Sequence, residues 1–292
     1  MRIIKLATIS FGIFVSSCGL LKKQQQGFVS PTNFEEEFTF QTYKGVIGFD
    51  ISIDGQMSQF LFDTGADLTL IQRDSILGKS TNYAGASKRK MELGEEIIPS
   101  LKIGDVNFQN TVALNGDMVG LKEQIPNFGG ILGQSVISKV NWLIDYPNKA
   151  IIMSTNSLAD NTFKSIKIIR QNGNNPYTFL TFRGKEYKVV IDLGSSSVIN
   201  LPTDSKFAKD VSATVSLKEN VRERYTLGGL QKITEQIGVI PELSIGDFKF
   251  ENVEFNINTS SQPRIGINFF KDYQIYIDNL NDGVYWLKKT EE

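Results

Sequence analysis

The sequence FDTGA at positions 62–66 returns as IDLGS at positions 191–195, which places Asp63 and Asp192 129 residues apart. A motif this short is weak support on its own, so the residues around the two copies decide whether the repeat is real. Those residues also match, in three blocks of sequence. Two aspartates carried by repeated sequences indicate a site in which their carboxyl groups meet.

The repeated blocks predict the same order of short strands twice. In the first block, each copy has a Gly at a short turn between two apolar runs, which is the pattern of a β-hairpin that ends at the aspartate. Between blocks, the spacing of the two copies changes only where loops absorb length. The matched segments are residues 49–71 with 178–200, 98–105 with 240–247, 131–133 with 264–266, and 144–145 with 277–278.

Short runs punctuated by Gly, Asn and Asp fill both halves, and helical periodicity is confined to brief stretches such as residues 204–210. This pattern favours an all-β fold in two related lobes. A repeat period of about 130 residues is far longer than that of a solenoid, so it indicates a duplicated domain. We expect the two lobes to face each other across a pseudo-two-fold axis.

The expected domain boundaries follow from these blocks. The N-terminal lobe spans residues 38–154, an inter-lobe linker spans residues 155–165, and the C-terminal lobe spans residues 166–292. Each lobe is long enough to bury its own apolar core. Residues 18–37 are rich in Lys and Gln and then in Glu, which predicts a flexible tether.

The start of the chain has the layout of a secretory signal peptide over residues 1–17. Its apolar run, residues 6–15, is too short to span a membrane. The sequence VSSC at positions 15–18 resembles the lipobox of bacterial lipoproteins, which implies that Cys18 becomes the lipidated first residue of the mature chain. The protein would then be lipid-anchored to a membrane of the bacterial cell envelope and face the periplasm. An ordinary leader followed by an unpaired thiol is the alternative.

The composition excludes several kinds of chemistry. The 292 residues contain no His, which excludes a Ser-His-Asp or Cys-His site and a histidine-ligated zinc centre. The sequence has no complete phosphate-binding loop, because Arg73 stands where the motif that ends in Gly78-Lys79-Ser80 needs its first glycine, and it has no dinucleotide fingerprint. The 31 basic residues balance the 32 acidic ones, so we expect no nucleic-acid partner. We therefore expect chemistry that rests on carboxylates, Lys, Tyr or Ser, with no metal and no cofactor.

The motifs resemble those of the aspartic peptidases, nearest to the bacterial retropepsin-like type with two copies in one chain. The family pattern is a hydrophobic residue, Asp-Thr/Ser-Gly-Ala/Ser and, roughly a lobe later, two hydrophobic residues and Gly. Residues 62–66 and 131–133 meet it in the first half. In the second half, Leu193 replaces the expected Thr or Ser. The resemblance, which covers about residues 40–288, implies two acid-protease-like β-barrel lobes with a catalytic cleft between them.

The resemblance also implies that Asp63 and Asp192 are the catalytic residues of an aspartic endopeptidase. Two carboxyl groups held close cannot both ionise cheaply, so they share one proton. The ionised group acts as general base on a water molecule, while the protonated group donates a hydrogen bond to the peptide carbonyl. The sequence leaves open which aspartate holds the proton. We expect a monomer that acts on peptide or protein substrates.

The residues after each aspartate are expected to support the active-site loops. Gly65 and Gly194 permit backbone amides to approach the carboxylates, although a simple turn is the alternative. By resemblance, the hydroxyl of Thr64 would cross to brace the opposite loop, and Leu193 could not return that bond.

The two aspartates should sit in unequal surroundings. Ser195 is expected to donate a hydrogen bond to the outer oxygen of Asp192. Ala66, at the matching position in the first half, offers no such partner to Asp63.

A hairpin flap closes over the substrate in this family, and residues 83–93 occupy the matching position. The second lobe has its own version around residues 225–233. The expected flap residues are Tyr83 and Gly85 in the first lobe and Tyr225, Gly228 and Gly229 in the second. The alternative is that both tyrosines only pack their hairpins onto the lobes.

Two other functions remain open from the sequence. Leu193 motivates the hypothesis of a pseudo-peptidase that binds extended peptides without cutting them. Paired acids also permit glycoside hydrolysis. Trp142 and Trp286 lie next to apolar strands, however, where they are more plausible as core residues than as platforms for a sugar.

Overall fold

Strands dominate the computed structural model, which describes residues 15–84, 90–171, 173–226, 229–281 and 283–290. The strands form several sheets, and this confirms the prediction of an all-β fold. None of the helices in the described ranges has the length and the apolar character that crossing a membrane requires.

The elements of the first half lead up to the end of the predicted N-terminal lobe. In chain order they are α1 (Val15–Gln25), β1 (Phe28–Ser30), β2 (Glu35–Thr39), β3 (Gln41–Tyr43), β4 (Val46–Ile53), β5 (Gln56–Phe62), β6 (Thr69–Gln72), β7 (Lys79–Ala84), β8 (Lys90–Ile103), β9 (Val106–Gly116), α2 (Val119–Lys122), β10 (Phe128–Leu132), α3 (Gln134–Ile137), β11 (Asn141–Asp145) and β12 (Ala150–Ser154).

The elements of the second half follow a similar order. They are β13 (Lys164–Ile166), β14 (Ile169–Gln171), β15 (Asn175–Phe182), β16 (Lys185–Asp192), β17 (Ile199–Pro202), α4 (Lys206–Ser212), β18 (Lys218–Thr226), β19 (Gly229–Ile245), β20 (Phe248–Asn258), β21 (Arg264–Gly266), a 3-10 helix (Ile267–Phe270), β22 (Tyr273–Ile277) and β23 (Tyr285–Lys289).

Two of the sheets share a hairpin whose second strand runs parallel to a later strand. The nine-stranded sheet has the order β1-β9-β6-β10-β5-β4-β8-β7, with β3 paired to β4, and the eight-stranded sheet has the order β14-β15-β16-β21-β17-β20-β19-β18. In the first, β4 and β5 form a hairpin, and β5 then runs parallel to β10. In the second, β15 and β16 form a hairpin, and β16 runs parallel to β21.

The predicted turns have the backbone that a tight hairpin needs. Asp54 and Gly55 have φ angles of 52° and 82°, and the matching residues Arg183 and Gly184 have φ angles of 50° and 74°. Two successive positive φ values are the geometry of a two-residue turn whose twist suits a β-hairpin. The repeated sequence blocks therefore fold into the same local structure, as predicted.

A six-stranded sheet combines strands from both predicted lobes, in the order β13-β23-β22-β11-β12-β2. At its centre β11 pairs with β22, and Trp142 of β11 lies opposite Ile277. Trp142 is fully buried and packs edge-on against Phe62, at the end of β5. The sequence analysis did not predict this sheet, one strand of which begins at Lys164 inside the expected linker.

The structure corrects the prediction of a flexible tether over residues 18–37. Part of α1 occupies this segment, β1 pairs with β9, and β2 pairs with β12. The side chain of Gln24 is buried, and its amide nitrogen donates to the carbonyl oxygens of Asp67 and Gly173, at 2.7 and 2.6 Å. These contacts fix a segment whose polar composition alone suggested a solvated chain.

A separate apolar cluster lies in the nine-stranded sheet, beneath the hairpin of β7 and β8. We call it the first-hairpin cluster. Its buried members are Leu61, Leu68, Leu70, Leu93, Val112, Leu114, Met118, Ile125, Phe128 and Ile131. The larger core extends through all three sheets.

Candidate active site

Asp63 and Asp192 each stand where a strand ends beside a parallel neighbour. The backbone N–H of Asp63, directly after β5, donates to the carbonyl of Leu132 at the end of β10. Asp192 ends β16 and lies opposite Gly266 of β21. A Cβ atom on Gly266 would lie 2.3 Å from the carbonyl oxygen of Ser195, so only glycine lets β21 close onto this loop.

Each carboxyl group lies against the loop that carries the other one. A Cβ atom added to Gly65 would lie 3.1 Å from Cγ of Asp192 and 3.2 Å from Oδ1 of Asp63. A Cβ atom added to Gly194 would lie 2.3 Å from Cγ of Asp63, which is shorter than real contacts allow. The glycines therefore permit the close approach that the sequence predicts.

The environment of Asp63 favours its protonated form. Burial by the surrounding protein raises the pKa of Asp63 well above its usual value, and the negative charge of Asp192 and a hydrogen bond with its side chain raise it further. Two contacts act in the opposite direction: the N–H of Gly65, which donates to Oδ1 of Asp63 at 2.7 Å, and the charge of Arg264.

Asp192 has a cationic partner that the sequence analysis missed. Nη1 of Arg264, the first residue of β21, lies 2.5 Å from Oδ2 of Asp192, and both side chains are 9% exposed. In the alignment of the repeats, Arg264 matches Ile131, a position where the aspartic peptidase pattern has a hydrophobic residue. That departure from the pattern was the available signal.

Ser195 does not make the predicted contact with Asp192. Its hydroxyl instead lies 2.8 Å from the hydroxyl of Ser197 and accepts a bond from the N–H of that residue. Oδ2 of Asp192 accepts from the guanidinium of Arg264, while the two serines pair with each other. The surroundings of the two aspartates are unequal, as predicted, but the cause is Arg264 and not Ser195.

Thr64 connects the two active-site loops. Its buried hydroxyl donates to the carbonyl oxygen of Ile191 at 2.8 Å and accepts a bond from the N–H of Leu193 at 3.0 Å. The brace predicted for Thr64 is therefore present. The side chain of Leu193 is fully buried in the larger core and returns no such bond, so the brace is one-sided.

A cavity of about 700 Å³ opens above the two aspartates. It is lined by both the nine-stranded and the eight-stranded sheet, and by residues of α2 and the 42–46 segment. On the nine-stranded side, seven members of the first-hairpin cluster contribute to the lining, together with Ala66. On the eight-stranded side, the lining is mainly polar, with Asn200, Arg222 and Arg264 among its residues.

Two hairpins stand where the flaps were predicted. Tyr83 in β7 lies opposite Met91 in β8, and both side chains line the cavity. In the second hairpin, Tyr225 of β18 pairs with Leu230 of β19. Gly85 and Gly228, at the predicted tips, lie outside the described residues. Gly229 begins β19, which continues the hairpin into the sheet.

The described residues contain no group of three or more acidic or Cys side chains placed to hold a metal ion. Among the described residues, Arg264 is the basic group that acts on both aspartates, while Asp67, Arg222 and Glu223 line the cavity farther along. With one buried ion pair and one carboxyl group biased toward its acid form, the site can accept one proton and donate another.

Comparison with known proteins assigns no family to this chain: no protein-family model matches it, and neither does any curated protein.

Proposed function

We propose that the chain is an aspartic endopeptidase in which Asp63 and Asp192 activate water between them. The observation that carries this proposal is that both carboxyl groups lie against Gly65, close enough to interact with each other, beneath a cavity large enough for several side chains of a peptide. The repeated sequences and the repeated strand pairs position Asp63 and Asp192 next to each other. The absence of His from the sequence leaves carboxylates as the natural acid and base.

The fold proposed here is that of two acid-protease-like lobes related by a pseudo-two-fold axis, as in the retropepsin-like enzymes. Three features support it. The nine-stranded and eight-stranded sheets repeat the same hairpin and parallel strand pair, their turns share positive φ angles, and the Thr64 hydroxyl bridges the loops.

We assign different roles to Asp63 and Asp192 because their neighbouring groups differ. Because Arg264 neutralises Asp192, we assign Asp192 as the carboxylate that removes a proton from the attacking water. Asp63, whose pKa is raised by burial, holds the other proton and donates it to the carbonyl oxygen. The resulting tetrahedral diol returns a proton to Asp63 as it collapses, while the departing amine takes the proton that Asp192 received.

Lipid anchoring in a bacterial envelope is a separate proposal, supported by the sequence VSSC at positions 15–18. Cys18 would carry the lipid, and the folded body would face the periplasm. Metabolic labelling with a radioactive fatty acid tests it: we expect incorporation into the wild-type chain and none into Cys18→Ser. Equal labelling of both chains would contradict the assignment.

A cleavage assay tests the peptidase proposal. Purified full-length protein is incubated with a mixed peptide pool from acid to neutral pH, and the products are identified by mass spectrometry. We expect cuts by the wild-type chain and a loss of cleavage in Asp63→Asn and in Asp192→Asn. Asp105→Asn, a change in an exposed turn between β8 and β9, is the matched control and should cut normally. Undiminished activity of Asp63→Asn would overturn the proposal.

A pseudo-peptidase that binds extended peptides without cutting them is the second candidate. Two observations favour it: Leu193 leaves the brace one-sided, and Arg264 already neutralises one aspartate. A misplacement of about 1 Å in a catalytic group costs on the order of a hundredfold in rate. Gain of activity in Leu193→Thr would identify a degraded site, whereas binding without cutting in every variant would favour a binding protein.

Glycoside hydrolysis has less support. Trp142 is buried in the core, where its ring nitrogen donates to the carbonyl oxygen of Ile137. Trp286 belongs to the six-stranded sheet, and neither tryptophan lines the cavity. Release of reducing sugar from envelope polysaccharide by the wild-type chain would revive this function.

A further inference from the structure

One wall of the cavity is a row of apolar side chains that crosses three strands. Leu70 of β6 lies beside Leu114 of β9 and opposite Ile131 of β10. All three line the cavity and belong to the first-hairpin cluster. An apolar side chain of a substrate would bury its surface against this wall, at a gain of about 25 cal/mol per Å².

The matching row in the eight-stranded sheet is polar. Asn200 of β17 lies beside Asn256 of β20 and opposite Arg264 of β21. All three are buried, and Asn200 and Arg264 line the cavity. By strand register, which shifts Leu70 one residue from its partner in the ungapped sequence alignment, the same positions carry Leu and Ile in one sheet and Asn and Arg in the other. This difference is built into the cavity wall and is not a property of an exposed surface.

The two arginines on the polar side are already paired, and the exposed carboxylate of Glu223 also lines the cavity. Arg264 forms its ion pair with Asp192, and Arg222, from the second hairpin, forms one with Glu235. Glu235 also accepts hydrogen bonds from the amide nitrogens of Asn256 and Asn258. A carboxylate brought by a ligand would meet two arginines that already have counter-ions, so the buried part of this lining suits an uncharged polar group.

Hydrogen-bonding capacity is nonetheless left over on the polar side. Among the described residues that line the cavity, Oδ1 of Asn200, Oγ of Ser260 and Nε of Arg264 are buried atoms without a hydrogen-bond partner. Buried polar groups normally have partners, and each missing bond costs about 1–3 kcal/mol. The three atoms offer an acceptor, a hydroxyl and an N–H donor near the ion pair of Arg264.

We propose that the polar wall is a subsite for a carboxamide side chain, so that the enzyme cleaves peptides with an apolar residue on one side of the scissile bond and Gln or Asn on the other. A carboxamide has both a C=O acceptor and N–H donors. Its oxygen would accept from Arg264 or Ser260, and its nitrogen would donate to Asn200. A carboxylate would meet the oxygen of Asn200 without a proton to share, and an ammonium group would meet Arg264.

This inference rests on the proposed peptidase function, and cleavage kinetics test it. Full-length protein is first profiled on a peptide pool to locate the polar position, then assayed on matched peptides with Gln, Leu, Glu or Lys there. We expect kcat/KM for the Gln peptide to exceed that for each of the other three by about tenfold or more, because a site built for hydrogen bonds rejects ligands that leave it unpaired.

Single-residue variants test whether the preference for Gln comes from the polar wall. Asn200→Leu, which copies the apolar wall, should bring the Gln-to-Leu ratio of kcat/KM close to one, and Ser260→Ala should lower it several-fold. Asn161→Leu, at an exposed turn, is the control and should leave the ratio unchanged. Thermal unfolding checks that each variant folds. If Asn200→Leu does not fold, the Gln-to-Leu ratio of Ser260→Ala, a smaller change, tests the subsite.

The outcomes separate the two proposals. Cleavage without a preference for Gln or Asn, or a preference that survives both variants, overturns the subsite and leaves the peptidase standing. If the wild-type chain cuts nothing, fluorescence anisotropy with the same labelled peptides decides: tighter binding of the Gln peptide than of the Leu peptide, lost in the variants, supports the subsite alone. Equal binding of the two peptides overturns it.

Discussion

Asp63 and Asp192 occupy matching positions in a repeated sequence, yet their neighbours differ in charge. Asp63 accepts a backbone N–H bond in surroundings that raise its pKa, whereas Asp192 is neutralised by Arg264. Two acids that share one proton need some asymmetry before either can have a fixed role. In this chain Arg264, at the position that matches Ile131 in the first repeat, supplies that asymmetry.

Replacing Arg264 with Leu should move the alkaline limit of activity to higher pH. The positive charge of Arg264 lowers the pKa of Asp63, so its removal lets that pKa rise. In the proposed mechanism Asp63 acts in its protonated form, and a higher pKa would keep it protonated to a higher pH. The check is the pH dependence of kcat/KM for wild-type and Arg264→Leu protein on one peptide.

Arg264→Lys is the matched control, because it keeps the charge and should shift the limit less. Independent of activity, Arg264→Leu should lower the free energy of unfolding at neutral pH by about 3 kcal/mol, since it strands a buried carboxylate. Urea titration measures that loss. An alkaline limit that stays in place or moves to lower pH would contradict the assigned roles of the two acids.

The sequence motif predicted the residues that act through backbone geometry better than those that act through charge. The glycines and Thr64 belong to the loop itself, and their contacts follow once the loops are opposed. Arg264 comes from another strand, 72 residues beyond Asp192. Its contact depends on which face of β21 points at the dyad, and the pattern around position 264 did not reveal that.

At the scale of elements, the two hairpins rest on chemically different supports. The hairpin of β7 and β8 lies on the apolar first-hairpin cluster, which includes Leu93. At the matching position, β19 carries Glu235, which is 4% exposed and accepts bonds from Asn220, Arg222, Asn256 and Asn258. Although burial raises the pKa of Glu235, the hydrogen bonds from Arg222, Asn258 and Asn256 and the charge of Arg222 outweigh it and lower that pKa.

Glu235→Leu should therefore destabilise the protein although it copies Leu93. The leucine would face amide and guanidinium donors that lose their shared acceptor, at a cost of about 2 kcal/mol or more. The control is Glu92→Leu in β8, an exposed position whose change should stay within about 0.5 kcal/mol. Urea unfolding of both variants provides the comparison. Equal free energies of unfolding would show that the hydrogen bonds to Glu235 do not stabilise the protein.

Local patterns predicted the strands and hairpins well because turn residues and apolar runs are adjacent in sequence. The six-stranded sheet escaped prediction for the opposite reason. Its central pair joins residues 142–145 to residues 274–277, and its edge strand β2 comes from a segment too polar to read as folded. Only the whole fold brings such partners together, so their pairing leaves no local signature.

At the scale of the whole molecule, the N-terminal segment contacts two parts of the chain that are distant in sequence. Gln24 bonds to backbone carbonyls at Asp67 and at Gly173, which precede strands of the two larger sheets. The ammonium group of Lys139, whose pKa burial lowers to about 8, donates to the carbonyl oxygens of Gln24 and Gln26. If Cys18 carries a lipid as proposed, five residues separate the anchor from this docked position.

Replacing Gln24 with Ala should release the N-terminal segment from the body of the protein. The change removes two hydrogen bonds and leaves two backbone carbonyls without their donor, at a cost of about 1–3 kcal/mol. The neighbouring Gln25→Ala is the matched control, because Gln25 is exposed. Amide hydrogen exchange over residues 19–30 of the full-length protein measures the effect. We expect faster exchange in Gln24→Ala than in the wild-type or Gln25→Ala chain. Equal exchange in all three would mean that strand pairing by β1, and not Gln24, holds the segment in place.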